Sequence, residues 1–301
     1  MNKKSVYVIL VAVVVGGVLL AALAVRDRSG VTGSGKLKVV AAENFWGDIA
    51  RQIGGSQVVV TSIISDPQAD PHLYESSAQN AAVVGSADVV IVNGVGYDDF
   101  MDKLVAGSRN DHRVVVKAAA VTNTAEGANP HLWYDTAKVE VVAQAIEQAL
   151  AGRDDAHRSV YETNLAAFMI SLRSLHDEVG RIKADYAGVG VAYTEPVPAY
   201  LLLSAGLSVK TPAGFSQAIE EGNDPSPADT AGMESLITGH AIKVLLYNSQ
   251  ATSPVTERVK ALAQKNGVSV IGVTETLPAG KDFQTWQLDQ AKALYTGLSG
   301  N

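Results

Sequence analysis

Two imidazoles and two carboxylates in this sequence have the types and positions that could bind a metal ion. His72 and His131 each lie in a proline-containing loop, while Glu195 and Glu275 each directly follow a strand-like segment. Histidine nitrogen with carboxylate oxygen suits Mn²⁺, Fe²⁺ or Zn²⁺, and more carboxylates favour the harder ions. Two ionised carboxylates would also neutralise a divalent ion, which lowers the cost of burying it. The four residues therefore predict a site for a divalent transition metal.

Each of these four residues also has an ordinary interpretation. A histidine in a loop is commonly a surface residue, and a glutamate at a strand end is commonly solvated. The metal prediction depends on their shared position, because ligands bind at the carboxyl ends of the strands in open parallel sheets. The remaining histidines lack that position and are not predicted as ligands: His112, His157, His176 and His240.

The elements that must position these side chains form an alternating pattern of strands and helices. Continuous apolar strands separated by helices predict parallel sheets that are covered on both faces. The shorter helices are predicted at Phe45–Ile53, Ser77–Gly85, Asp98–Gly107, Asp135–Ala151, Val197–Ala205, Pro227–Gly239, Val255–Asn266 and Asp282–Gly297. The eight strands are predicted at Lys36–Ala42, Gln57–Ser65, Ala87–Asn93, Arg113–Ala118, Val189–Thr194, Leu207–Lys210, Ala241–Asn248 and Val268–Thr274.

One helix is predicted to be much longer than the others, from Asp154 to about Ala187. This stretch has no proline and a single glycine, and its apolar residues recur at steps of three and four. At ~1.5 Å per residue it would measure ~45 Å, enough to run along two lobes. The predicted fold class is α/β, with two lobes that are each a four-stranded, mostly parallel sheet flanked by helices. The predicted lobes are residues 36–153 and 188–301, and the linking helix is residues 154–187.

Residues 1–35 differ from this body. A short basic start precedes an uncharged stretch, Val6–Val25, and Val31–Gly35 has the composition of a flexible linker. A cleaved signal peptide is one interpretation, because Ala22-Leu23-Ala24 fits a cleavage site. An uncleaved membrane anchor is the other, since ~20 apolar residues can span a bilayer. Both interpretations place the body outside the cytoplasm; a buried helix of a soluble protein is a third, less favoured interpretation.

Charge and cysteine content exclude several classes of function. The first 28 residues carry four basic side chains and one acidic side chain, so the body has 20 basic and 30 acidic residues. An acidic body without a basic stripe argues against binding nucleic acid. The absence of cysteine excludes disulfides, thiolate ligands and a lipid-modified cysteine.

Four short motifs carry a resemblance to a known family. They are Asp70–Glu75 (DPHLYE), Asn129–Trp133 (NPHLW), Thr194-Glu195 and Val273–Glu275. With these motifs the sequence resembles the zinc- and manganese-binding solute-binding proteins of bacterial ABC importers, from about Lys36 to Leu298. The resemblance implies two α/β lobes joined by one long rigid helix, with the metal between the lobes.

The resemblance also implies roles for the four candidate ligands. His72 and His131 match the family's ligands in the first lobe. Glu195 occupies a place where histidine is common in zinc-binding members and glutamate in manganese-binding members. Glu275 stands where the family usually has aspartate. Because the segment 118–128 also lacks the histidine-rich loop of many zinc-binding members, Mn²⁺ or Fe²⁺ is favoured slightly over Zn²⁺.

The expected function is capture of Mn²⁺ or Zn²⁺ outside the cytoplasm and its delivery to an ABC permease. The ATPase subunit must be another chain, because no phosphate-binding G-x-x-x-x-G-K-[ST] motif occurs here. The protein is expected to be a monomer, to have no enzymatic activity, and to contact the membrane through its N-terminal segment if that is uncleaved. The alternatives are a metal-dependent hydrolase, although no H-E-x-x-H or G-x-S-x-G motif occurs, and a metal-stabilised adhesin.

Overall fold

The computed structural model describes residues 35–66, 74 and 77–300. The predicted leader or anchor and the predicted ligand His72 lie outside these residues. Within the described ranges, no helix combines the length and the apolar character needed to cross a membrane. The described chain from Leu37 onwards forms one unit with two sheets, and the lobe boundaries given above stay predictions.

The first sheet has the strand order β2-β1-β3-β4, and every neighbouring pair is parallel. All four predicted strands are present, with Val39 of β1 paired to Val60 of β2 and to Val89 of β3. The strands are β1 (Leu37–Glu43), β2 (Val58–Ile64), β3 (Val89–Val92) and β4 (Val114–Lys117), and the helices are α1 (Asn44–Gly54), α2 (Ala78–Gly85), α3 (Asp99–Gly107), α4 (Ala118–Val121) and α5 (Thr136–Arg153).

The second sheet repeats this topology as β6-β5-β7-β8, again with parallel neighbours throughout. One helix in it, α9, falls where the sequence predicted no element. The strands are β5 (Gly190–Tyr193), β6 (Ser208–Val209), β7 (Val244–Asn248) and β8 (Ser269–Val273), and the helices are α8 (Ala199–Ser204), α9 (Ala213–Glu220), α10 (Pro227–Thr238), α11 (Pro254–Lys265) and α12 (Phe283–Ser299). The predicted α/β class with two parallel four-stranded sheets is confirmed.

The linking helix covers the predicted span in two segments, α6 (Arg158–Ser171) and α7 (Arg173–Tyr186), after a 3₁₀ turn at Asp155–His157. The break is the single residue Leu172, whose φ of −72° and ψ of −14° remain in the right-handed helical region. Leu172 is fully buried, so the hydrophobic side of the helical path continues through the break.

The hydrophobic core follows from the two-residue period of the strands. Val39 and Ile91 of the first sheet share one large cluster with Val191 and Leu246 of the second sheet, and α1, α5, α6, α7 and α12 also contribute to that cluster. The alternate strand residues pack in separate outer clusters, around Val40 in the first lobe and around Leu245 in the second. Each sheet is therefore covered on both faces, which explains its uniformly apolar strands.

Both sheets change winding direction between their two central strands. In such sheets ligands bind beyond the carboxyl ends of the strands at this switch point. In the first sheet β1 ends at Glu43 and β3 is followed by Asn93; in the second, β5 is followed by Thr194-Glu195 and β7 ends at Asn248. Glu43, Asn93, Glu195 and Asn248, four of the polar residues that the structure gathers, come from these ends.

Candidate metal centre

His131 is oriented by a network of hydrogen bonds in its own loop. Asn129 Oδ1 lies 2.7 Å from His131 Nδ1 and also accepts the backbone N–H of His131 at 3.0 Å. Because a carbonyl oxygen only accepts, Nδ1 carries the proton, and Nε2 keeps its lone pair for a metal. The loop itself is tied to β3, since Asn93 Nδ2 donates to the carbonyl oxygen of Pro130 at 2.8 Å.

His131 Nε2 points at two carboxylates of the second lobe. It lies 3.6 Å from Glu275 Oε2 and 3.7 Å from Glu220 Oε1. The imidazole is fully buried, and its Nε2 makes no hydrogen bond within the described part of the chain. A buried polar nitrogen without a partner costs free energy, so this arrangement suits a nitrogen that binds a ligand.

Asn248 holds the two predicted glutamate ligands next to each other. Its Nδ2 donates to Glu275 Oε1 at 2.6 Å and also to Glu195 Oε2. The backbone N–H of Asn248 donates to Thr194 Oγ1 at 3.0 Å, which fixes the end of β7 against the end of β5. All three side chains are essentially inaccessible to solvent. Since two buried carboxylates repel each other, a shared amide donor is needed to keep them close together.

The turn that carries Glu275 is fixed by Gln250. Gln250 Oε1 accepts the backbone N–H of Glu275 at 2.5 Å and that of Thr276 at 3.2 Å. From the first lobe, the Tyr97 hydroxyl donates to Glu275 Oε2 at 2.9 Å. Burial raises the pKa of the Tyr97 hydroxyl well above its ordinary value, and the charge of Glu275 raises it further. Tyr97 is therefore a neutral donor. Glu275 is thus bonded from both lobes.

An aromatic layer lies beneath these polar groups. Trp133 stacks on Phe45 with ring centroids 4.2 Å apart, and the His131 and Tyr97 rings lie 5.1 Å and 4.9 Å from Trp133. All of these rings except His131 belong to the large central cluster. Apolar surroundings strengthen electrostatic interactions, so an ion at Nε2 would interact strongly with the carboxylates.

Glu43 forms a second acidic feature close to this centre. It is fully buried at the end of β1, and neither carboxylate oxygen has a hydrogen-bond partner among the described residues. Burial raises the pKa of Glu43 well above its ordinary value, and the charge of Asp98 raises it further. Asp98 itself accepts the backbone N–H groups of Asn93 and Gly94 at 2.6 Å and 2.7 Å.

A cavity of about 1050 Å³ opens over the centre. Its walls include Tyr97 and Asn129 from the first lobe and Glu195, Glu220 and Gln250 from the second. The two lobes also bond directly here, because Asn129 Nδ2 donates to the carbonyl oxygen of Pro196 at 2.7 Å. The cavity is large enough to admit a hydrated ion and is lined by carboxylates.

Three of the four predicted ligands thus lie in one neighbourhood: His131, Glu195 and Glu275. His72 lies outside the described residues. Among the residues that are described, no three His, Asp or Glu side chains are arranged so that they could hold a metal ion as they stand. The ligand set therefore remains a prediction.

Several residues at the centre were not predicted from the sequence. Asn248 ends a predicted strand, and the strand-end argument could have identified it had amides been considered with carboxylates. Glu43 ends β1 and could have been identified in the same way. Tyr97 and Glu220 gave no comparable signal, because Tyr97 lies in a loop and Glu220 ends a helix that was not predicted.

Comparison with known proteins identifies one family. The family model described as "Zinc-uptake complex component A periplasmic" matches residues 39–297. The metal ABC transporter substrate-binding lipoprotein ScbA of Streptococcus cristatus is 31% identical over 192 residues, 59% of this chain and 60% of the relative. The manganese-binding lipoprotein MntA of Halalkalibacterium halodurans is 29% identical over 175 residues, 56% of this chain and 58% of the relative. This chain therefore spans about three fifths of each relative's length in the alignment.

The fold is also found in a solved structure. The periplasmic zinc binding protein TroA from Treponema pallidum superposes with a TM-score of 0.75 and 20% sequence identity. The match covers 88% of this chain and 99% of the solved chain. ScbA is named as a substrate-binding protein of a transporter and MntA as a manganese-binding protein, which favours this class over the hydrolase and adhesin alternatives.

Proposed function

Because the chain belongs to the family of periplasmic zinc-uptake component A, we propose that it captures a divalent transition metal outside the cytoplasm and delivers it to an ABC permease. One observation carries the proposal. The buried Nε2 of His131 makes no hydrogen bond among the described residues, Asn129 binds the other ring nitrogen, and Nε2 faces the carboxylate of Glu275 across 3.6 Å. Nitrogen and carboxylate oxygen are the donor types that a first-row divalent ion requires, and here they lie close together.

The proposed ligands are His72, His131, Glu195 and Glu275, with the ion between the two lobes. Asn129 and Asn248 orient the ligands, Asn129 by fixing the imidazole tautomer and Asn248 by holding the two carboxylates together. The proposed cargo is Mn²⁺ ahead of Zn²⁺, with Fe²⁺ also accommodated. Glutamate rather than histidine at position 195 supports this order, as does similarity to a relative named as manganese-binding.

Release of the ion follows from the same contacts. The linking helix limits hinge bending, so we expect a local movement of the Glu195 and Glu275 loops when the permease is engaged. Breaking the bond from Tyr97 to Glu275 would leave a buried carboxylate less stabilised and the metal more weakly held. The permease and its ATPase supply the energy.

Uptake by cells tests this proposal. A strain that lacks the gene should grow poorly at limiting Mn²⁺, and the wild-type gene should restore both growth and cellular manganese. His131→Ala should fail to restore uptake, while His157→Ala should succeed, because His157 bonds only to Asp154 in its own turn among the described contacts. Normal manganese and zinc uptake in the deletion strain would refute the proposal.

A further inference from the structure

Glu220 is an acidic side chain at the centre that lies in none of the family motifs in the sequence. It ends α9, and its carboxylate lies 3.7 Å from the same His131 nitrogen that faces Glu275. We propose that Glu220 is a further carboxylate ligand of the bound metal and that it makes the site favour Mn²⁺ over Zn²⁺. This inference rests on the proposed function, because it concerns the same site.

The distances around His131 Nε2 support a shared ion. Two ligands that bind one ion at about 2.1 Å lie roughly 3.0 Å apart at right angles and roughly 3.4 Å apart at the tetrahedral angle. The separations from Nε2 to Glu275 and Glu220, 3.6 Å and 3.7 Å, are slightly larger than this range and too long for hydrogen bonds. An ion placed between these atoms would need to draw each oxygen inwards by only a few tenths of an ångström.

The nitrogen itself is an independent sign that a ligand belongs here. His131 is fully buried, and its Nε2 makes no hydrogen bond among the described residues, although two carboxylates stand next to it. Because Asn129 Oδ1 takes the proton on Nδ1, a neutral imidazole has no proton to offer either carboxylate. A cation is the group that would satisfy this nitrogen and also be attracted by both carboxylates.

Glu220 is the last residue of a packed helix, so its position is fixed by the fold. Phe215 and Ile219 bury one side of α9 in the outer core of the second lobe. The first turn of α9 packs closely against α10. Gly214 leaves no room for a side chain there, because a Cβ atom at this position would lie 2.6 Å from Asp229 Oδ2. With both ends constrained, the last residue of α9 faces the cavity, where it lines the wall beside Glu195.

A third carboxylate changes which metal the site prefers. Zinc sites commonly close with four tetrahedral ligands, whereas manganese accepts octahedral, oxygen-rich coordination. With Glu195 and Glu275, Glu220 brings a third carboxylate to the centre around His131. Its side chain is 16% exposed, against 1% for Glu275, so Glu220 approaches the ion from the open side. Mn²⁺ should use this extra oxygen, while Zn²⁺ should depend on it less.

The test compares Glu220→Gln with Glu162→Gln, which removes the same charge from an exposed side chain outside the cavity lining. Competition titration with a chelator should show Mn²⁺ affinity falling at least about tenfold in Glu220→Gln, the range for losing a group that supports a metal site. Zn²⁺ affinity should change less than Mn²⁺ affinity, and Glu162→Gln should match the wild type. In the Mn²⁺-loaded crystal, a Glu220 oxygen should lie within bonding distance of the ion.

Two results would overturn the inference without touching the proposed function. If wild type binds Mn²⁺ but Glu220→Gln binds it equally well or more tightly, Glu220 is not a ligand of the metal. Equal losses of Mn²⁺ and Zn²⁺ affinity would contradict its role in metal preference. Failure of the wild type to bind either metal would refute the proposed function instead. Because Glu220→Gln removes repulsion between carboxylates, the metal-free variant should fold, and its circular dichroism should match that of the wild type.

Discussion

At the scale of single residues, the centre depends on side chains that hold charges in place rather than on the charges alone. Asn248 donates one amide nitrogen to two buried carboxylates, and Asn129 fixes the proton on His131. Removing a group that orients a metal ligand in this way commonly lowers the metal affinity 10- to 100-fold. Substitution of Asn129 or Asn248 should therefore lower metal affinity measurably, as substitution of a ligand would.

Asn248→Ala should lower Mn²⁺ affinity by about 10- to 100-fold, because Glu195 and Glu275 lose the donor that holds them together. Chelator competition measures this change. Asn266→Ala is a matched control, since Asn266 Nδ2 bonds to the Leu262 carbonyl oxygen at the end of α11. Affinities within twofold of wild type for both variants would show that Asn248 does not position the carboxylates.

Glu43→Gln should stabilise the metal-free protein at neutral pH. Burial raises the folded-state pKa of Glu43 above its unfolded value, so the folded state holds its proton more tightly. The stability contributed by this bound proton is fully present at pH values below the unfolded-state pKa. It is lost as the pH rises through the folded-state pKa. Glutamine keeps the neutral form, so the free energy of unfolding at pH 7 should rise.

Urea unfolding between pH 4.5 and pH 8 measures this effect. The difference between Glu43→Gln and wild type should shrink towards zero as the pH approaches the ordinary carboxyl pKa, about 4.3. Glu126→Gln, an exposed position, should show no such trend. A gain that is independent of pH, or a loss at pH 7, would mean that ionised Glu43 is not destabilising in the fold.

At the scale of elements, the helix caps determine where site loops end and helices begin. Asp135 follows the His131 loop, and its carboxylate accepts the backbone N–H groups of Ala137 and Lys138 at 3.1 Å and 3.3 Å. Asp135 is the first residue of the helix predicted at Asp135–Ala151, and in the structure it is the N-cap. Losing such a cap costs about 1 kcal/mol.

Asp135→Ala should therefore lower the free energy of unfolding by about 0.5–2 kcal/mol. Ser226→Ala, at the start of α10, provides a matched loss of a cap in the other lobe, because Ser226 Oγ accepts the backbone N–H of Asp229. Chemical denaturation of both variants measures the change. An unchanged unfolding free energy for Asp135→Ala would show that water replaces this cap without cost.

The sequence predicted the strands better than the helices near the site. All eight strands were predicted, because buried parallel strands are continuous apolar runs with few competing interpretations. Helix α9 was not, since it is short and begins between Pro212 and Gly214, residues that usually indicate a loop. Glu220 was missed with it. The break at Leu172 was not predicted, because the apolar pattern of the linking helix continues through both of its segments.

The candidate site was predictable only in part, for a related reason. Glu195 and Glu275 follow strands, so the topology of the sheets alone brings them to one edge. Asn248 lies at the same edge, but an asparagine at a strand end usually signals a turn. Tyr97 reaches Glu275 across 178 residues of sequence, and only the packing of the two lobes brings them together.

At the scale of the whole molecule, reciprocal hydrogen bonds tie the lobes on either side of the centre. Asn44 Nδ2 donates to the Leu277 carbonyl oxygen, and Asn44 Oδ1 accepts the Leu277 N–H, both at 2.9 Å. The loop after Glu275 is thereby fixed to the start of α1. Because these bonds cross between lobes, they should slow the movement that releases the metal.

Asn44→Ala should accelerate Mn²⁺ dissociation several-fold, because both bonds to Leu277 are lost and the Glu275 loop can open more readily. Stopped-flow mixing with excess chelator measures the rate. Gln57→Ala is the control, since the side chain of Gln57 donates to the neighbouring Ser56 at the surface. An unchanged dissociation rate would show that the loop does not limit release.

The central claim is that His131 and its neighbouring carboxylates bind a divalent transition metal. Titration of the purified, metal-stripped protein with Mn²⁺ in competition with a chelator tests it most directly. We predict one equivalent of Mn²⁺ bound by wild type and by His157→Ala, and strongly weakened binding by His131→Ala and Glu275→Ala. The absence of Mn²⁺ and Zn²⁺ binding in wild type, or undiminished binding by His131→Ala, would contradict the account.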